Sequence, residues 1–121
     1  MDLLAAYPDR QFRLWAYVPT HSKLLLRSGD ETPDGIRIDI AFLSVRWIEL
    51  PLIMQGLLIS RLPSRTEGVA SGAPPELNKA EQWFLVKGDN YRGSLVAQSF
   101  EIDERRGARF RDIDKWGICE W

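Results

Sequence analysis

The chain has a single histidine, His21, and a single cysteine, Cys119, in 121 residues. One cysteine closes no internal disulfide, so nothing in the sequence asks for an oxidising compartment. One His and one Cys also give no zinc spacing, because such a site draws on about four ligands. The expectation is a protein with no metal and no cofactor. An excess of charge of one sign is missing too. Sixteen basic side chains stand against 17 acidic ones, a net charge of −1, so no overall field draws the molecule to nucleic acid or to an anionic membrane. No long hydrophobic run is present. The most apolar window, "WIELPLIMQGLLI", is broken by Glu49, Pro51, Gln55 and Gly56 and falls short of the roughly 20 apolar residues of a membrane helix. The opening "MDLLAAYPDR" carries an acid at position 2 and no basic stretch, which does not suit a secretory signal. These absences predict a cytoplasmic protein without a membrane span.

What the sequence does contain is strand chemistry. The apolar fraction is 45% and the charged fraction 27%, ordinary for one globular domain, here 1–121. "FRLWAYV" (12–18) and "SKLLLRS" (22–28) have the length and composition of two strands. Between them, Pro19 presets a turn, and the last residue of a three-residue hairpin loop takes the left-handed conformation. Histidine is enriched there among non-glycines, so His21 is expected to shape the turn and not to perform catalysis. This turn sets a register with Phe12, Leu14, Ala16 and Val18 on one face. Arg13, Trp15 and Tyr17 share the other face, with Arg13 directly opposite Arg27.

"IRIDIAF" (36–42) alternates, with Ile36, Ile38, Ile40 and Phe42 inward and Arg37, Asp39 and Ala41 outward. Beyond it the apolar phase slips, and a bulge or break near Leu43 and Ser44 is expected to bring Val45 and Trp47 onto one face. "GLLISRL" (56–62) reads as another strand. "PSRTEGVASGAPP" (63–75) reads as a mobile loop within the domain, and Pro75 followed by "ELNKAEQ" reads as one short helix. Gly88-Asp89-Asn90 marks a hairpin, "RRGARF" a further turn and "DIDKWGICEW" a last strand. The sum is a mostly β, single-domain antiparallel sandwich or barrel-like sheet of about seven or eight strands.

Chemistry is sparse. No nucleophile-elbow motif accompanies His21. "GDETPDG" lacks the ligand spacing of a calcium loop and leads into a strand, not into a phosphate-binding helix. Asp39 and Glu49 could meet across a sheet, but outward acids ordinarily solvate a face. The paired Arg13 and Arg27 could bind a carboxylate or phosphate, or be neutralised by acids such as Asp30 or Glu101. The basic cluster "RRGARFR" is flanked by Asp103, Glu104, Asp112 and Asp114 and reads as a solvated hairpin tip. Five tryptophans are expected mostly in the core, with one or two on a binding surface.

The segment "WAYVPTHSKLLLRS" resembles the opening W-x-Y/F-x-x-S/T-H-S/G-x-L-L-L-R-S of a group of small uncharacterised bacterial proteins. The likeness runs over residues 12–59, through "IDIAF", Leu50-Pro51 and "GLLI". These proteins are similar in style to the immunity or antitoxin-like proteins of bacterial competition systems, which implies a protein partner. The reading of the whole sequence is a non-enzymatic protein-interaction module, with Arg13, Trp15, Tyr17, His21 and Arg27 as the binding candidates. The alternatives are a small anion- or ligand-binding barrel and a cryptic enzyme centred on His21. Pairing through an edge strand could also join two copies into a homo-oligomer.

Overall fold

The computed structural model describes residues 2–29, 34–62, 76–107 and 114–116. Eight antiparallel strands account for most of them: β1 (Asp2–Val18), β2 (Lys23–Ser28), β3 (Ile36–Leu43), β4 (Trp47–Glu49), β5 (Ile53–Leu62), β6 (Gln82–Gly88), β7 (Tyr91–Ala97) and β8 (Ser99–Arg106). They form one sheet in the order β4-β7-β6-β5-β1-β2-β3-β8.

The two ends of that order meet. Only residues 44–46 separate β3 from β4, and only Gln98 separates β7 from β8. β3 pairs with β8 while β4 pairs with β7. The two interrupted strands therefore lie side by side, and the pairing runs full circle from β1 through β2, β3–β4, β8–β7, β6 and β5 back to β1. The result is a closed barrel rather than a sandwich. Backbone bonds from Gln98 N–H to the Leu43 carbonyl (3.0 Å) and from Arg46 N–H to the Val96 carbonyl (2.9 Å) carry the seam across the interruption.

The seam holds the bulge that the apolar phase requires. Leu43 faces Ser99 and Trp47 faces Val96, so three residues on one side oppose two on the other. Ser44 absorbs the extra residue with a φ of 55°. Val45 then enters the interior, but Trp47 does not share its face. Trp47 packs on the outside of the barrel, and Ile48 turns inward in its place.

The lumen is filled by side chains from every strand, with β4 contributing only the half-buried Ile48 and β8 the half-buried Phe100 and Ile102. Phe12, Leu24, Leu26, Ile38, Ile40, Phe42, Met54, Leu57, Ile59, Phe84, Val86, Leu95 and Ala97 form its buried core. The rings of Phe42, Phe84 and Phe100, from β3, β6 and β8, sit 5.4–5.6 Å apart centre to centre, a spacing that favours tilted and edge-on aromatic contact. A second, smaller apolar cluster lies outside the barrel, where Leu62, Trp83, Leu85 and Val96 pack with Trp47 and Leu77.

Several expectations change. No described tryptophan belongs to the lumen cluster: Trp83 and Trp47 are in the outer cluster, Trp15 and Trp116 are half-buried, and Trp121 lies outside the described residues. A barrel of this bore is filled by phenylalanine and aliphatic side chains, so the larger indoles pack against its wall. The helix expected after Pro75 does not form over 76–82. Instead Asn78 and Glu81 close a turn on each other, Asn78 N–H donating to Glu81 Oε1 (2.7 Å) and Glu81 N–H to the Asn78 carbonyl (2.9 Å). So short a helix is unfavourable without tertiary support, and Arg46 draws this segment onto the barrel through Glu76 and Glu81. Residues 114–116, expected within a last strand, form a turn. The loop at 63–75 lies outside the described residues. β1 begins at Asp2, ten residues earlier than the strand composition indicates. The composition is misleading because Pro8 and Asp9 sit where β1 slips its register against β5, between Tyr7 and Gln11.

Candidate functional site

Arg13 and Arg27 are indeed opposite each other, in a register that holds for Phe12, Arg13 and Leu14. Past Leu14 the pairing slips by one, so that Ala16 faces Leu25 and Tyr17 faces Leu24. The slip lies at Trp15, and this bulge places its indole over the Arg27 guanidinium, 5.1 Å from ring centre to Cζ.

The outer wall then carries one continuous row. Ile53 of β5 faces Arg13, Arg13 faces Arg27, Arg27 faces Asp39, and Asp39 faces Asp103 of β8. Asp39, one strand over, neutralises Arg27; Asp30 lies outside the described residues, and Glu101 accepts from Trp116. Arg27 Nε donates to Asp39 Oδ1 (2.8 Å) and Nη2 to Oδ2 (3.2 Å), a bidentate pair. Arg37 Nη2 donates to the same Oδ2 (3.1 Å), and Arg105 pairs with Asp103 at 3.2 Å. Arg27, Arg37 and Asp39 are at most 1% exposed. Glu101 accepts from Trp116 Nε1 (2.6 Å), which sets the turn 114–116 against the same wall.

At its β5 end the row emerges into solvent. Arg13 is exposed, Ile53 is 54% exposed and Leu52 is 71% exposed. The Leu52 carbonyl accepts from Leu14 N–H at 2.9 Å, which fixes the two aliphatic side chains beside β1. Leu52 and Ile53 were not legible as site residues. The available signal was an apolar pair directly after Pro51, in a turn where such residues have no core to enter.

Tyr17 and His21 stand apart, towards the tip of the β1–β2 hairpin, where both are exposed. The loop has four residues, and the left-handed position belongs to Ser22 (φ 50°), not to His21. His21 N–H donates to the Val18 carbonyl (3.2 Å) and Ser22 N–H to the Pro19 carbonyl (3.3 Å). His21 lines a shallow polar groove of about 380 Å³ with Thr20, Ser22, Ser44, Val45, Arg46, Glu81 and Gln98. Within the groove the Glu81 carboxyl is held below its ordinary range by the hydrogen bond from Arg46. Among the described residues, no carboxylate orients His21 as a base, and no three His, Cys, Asp or Glu side chains gather as metal ligands. No described helix is long and apolar enough to cross a membrane.

The fold and this wall define a small closed β-barrel with a buried arginine–aspartate network and an exposed aliphatic margin. No family model, no curated protein and no solved structure matches the chain.

Proposed function

We propose that this protein is a non-enzymatic module that binds another protein through the exposed outer margin where β5 meets β1. The observation that carries the reading is the contrast between inside and outside. The lumen is occupied by the Phe42, Phe84 and Phe100 rings and the aliphatic side chains around them. Leu52 and Ile53 meanwhile face solvent beside Arg13, next to the stacked Trp15 and Arg27. Exposed aliphatic groups bordered by arginine and aromatic side chains are the composition of a protein-binding surface. The bidentate pair with Asp39 commits the Arg27 guanidinium, which disfavours the reading of Arg13 and Arg27 as an anion clamp. Residues 12–59 resemble uncharacterised bacterial proteins that are similar in style to immunity or antitoxin-like proteins, which suggests a toxin domain as the partner.

The test is a comparison of baits. The full chain and its Leu52→Asp/Ile53→Asp variant are immobilised and challenged with native lysate. The variant is expected to melt at the wild-type temperature, because both side chains are exposed, and to lose the partner that the wild type retains. A partner retained equally by both proteins excludes this margin as the binding surface.

A further inference from the structure

Six described residues hold a positive φ. Three are glycines, Gly35, Gly56 and Gly107, and a fourth is Asn90 in the β6–β7 turn. These residue types adopt the left-handed conformation readily. The other two are serines, Ser22 at 50° and Ser44 at 55°, which carry the full steric cost of a Cβ there. Both line the same groove. They come from separate loops, the tip of the β1–β2 hairpin and the interruption between β3 and β4, and Val45 N–H bonds the Ser22 carbonyl (2.8 Å) to hold the loops together. Each loop needs a left-handed residue, and glycine or asparagine would meet that need with less strain. Serine adds only its hydroxyl. Among the described residues neither hydroxyl has a hydrogen-bond partner, so it gives nothing back to the fold. Backbone strain kept at a cleft without an internal return points to function.

The chemistry of the groove narrows the ligand. Its two ionic side chains are committed to each other. Arg46 Nε donates to Glu81 Oε2 (2.6 Å) and Nη2 to the Glu76 carbonyl (2.7 Å), while Asn78 N–H donates to Glu81 Oε1 (2.7 Å). An anion would have to displace a carboxylate, and a cation would have to displace a guanidinium. What remains is neutral. The hydroxyls of Thr20, Ser22 and Ser44 and the side-chain amide of Gln98 line the groove, and each can both donate and accept. The Glu81 side chain is only 5% exposed, so its position is fixed, and each of its oxygens retains a lone pair for a further donor. A ligand with several adjacent hydroxyl groups matches this set, because each of its groups also donates and accepts. We infer that the groove is a binding site for a neutral sugar. Its volume of about 380 Å³ falls within the range of about 300–1,000 Å³ for small-ligand clefts. The inference does not rest on the proposed partner surface, since neither Leu52 nor Ile53 lines this groove.

Titration of the isotope-labelled full chain, followed by its amide NMR signals, tests it. The probes are glucose, galactose, mannose, N-acetylglucosamine and their common disaccharides, with inorganic phosphate and acetate as anionic controls. At least one sugar is expected to shift the signals of Ser22, Ser44 and Gln98 saturably and to raise the melting temperature. Ser22→Gly/Ser44→Gly removes both hydroxyls and relieves the backbone. This variant should melt close to the wild type and bind that sugar about tenfold or more weakly. Ser22→Ala/Ser44→Ala removes the hydroxyls alone and should lose affinity to the same degree. Gln98 is exposed, so Gln98→Ala should stay folded and also bind more weakly. Circular dichroism checks the fold of each variant. The absence of saturable shifts with every sugar overturns the inference. So does saturation by phosphate or acetate in place of a sugar, a sugar whose shifts lie away from these three residues, or full affinity in a folded variant that lacks the groove's serine hydroxyls or the Gln98 amide.

Discussion

Asp39 accepts hydrogen bonds from two guanidiniums, Arg27 and Arg37, at a point on the barrel wall that water does not reach. Removing one partner from a buried ionic group leaves uncompensated charge and costs about 3–5 kcal/mol. Asp39→Asn is therefore expected to lower stability by about that amount in urea titrations, far more than an outward-facing strand acid would. For the same reason Arg27→Ala should destabilise, where a merely repulsive arginine pair would gain a few tenths of a kcal/mol from it. A second residue-scale prediction concerns the hairpin tip. Ser22, at φ 50°, occupies the conformation that a β-branched side chain resists. Ser22→Val should cost on the order of 1–2 kcal/mol, and Ser22→Gly should be tolerated. His21→Val should leave the melting temperature close to that of the wild type, because His21 has no positive φ. Equal losses for Ser22→Val and His21→Val would contradict this assignment of the turn. The need for one left-handed residue among these four was legible in the sequence. Which of them takes it depends on whether the loop closes after three residues or four, and that is set by the slip at Trp15.

At the scale of the element, β4 and β7 hold the seam, and their closeness depends on one residue without a side chain. A Cβ on Gly93 would lie 2.3 Å from the Glu49 carbonyl oxygen and 2.7 Å from a methyl of Leu50. The nearest obstacle is backbone, which cannot rotate aside. Gly93→Ala is expected to push β4 away from β7 and to cost about 1–3 kcal/mol, the range for overpacking. Faster amide exchange at Arg46, whose N–H is bonded to Val96, is the local signature of that opening. Unchanged exchange there would show that the seam gives elsewhere. The elements differ in how plainly their sequences announce them. β3 alternates without interruption, and its inward residues Ile36, Ile38, Ile40 and Phe42 are as expected, whereas Arg37, Asp39 and Ala41 on the other face are buried as well and do not meet solvent. The first part of β1 was not legible, because Pro8 and Asp9 read as a turn until β5 is seen to accommodate them. The helix expected after Pro75 was a matter of propensity, which tertiary contacts from Arg46 override.

For the molecule as a whole, one prediction concerns alkaline pH. Tyr91 on β7 reaches past β6 and donates its hydroxyl proton to the Gly56 carbonyl of β5 (2.6 Å). Burial, with a smaller contribution from Asp89, pushes its pKa up to about 12. The unfolded value is about 10. A raised value means that the folded state holds the proton more tightly, so the contribution is complete below about pH 10 and is lost as the pH climbs towards 12. Thermal melts across that window should show a falling limb that Tyr91→Phe reduces. At neutral pH the same variant should lose about 1 kcal/mol for the missing hydrogen bond. Tyr7, raised by burial and by Glu104, should leave a residual limb in the variant. The amino-acid sequence by itself determined that this is an antiparallel β domain. Period-two alternation, turn residues at short intervals and a balanced charge are local properties, and they need no knowledge of neighbours. It also determined the facing pair Arg13–Arg27, because a hairpin register follows from adjacent residues. Only the tertiary structure decided that the sheet closes on itself. Closure depends on β3–β4 meeting β8–β7, segments more than forty residues apart, and no local pattern encodes such a pairing. For the same reason, only the fold shows that Asp39 satisfies Arg27, that the described indoles stay out of the lumen cluster, and that Leu52 and Ile53 have no core to enter.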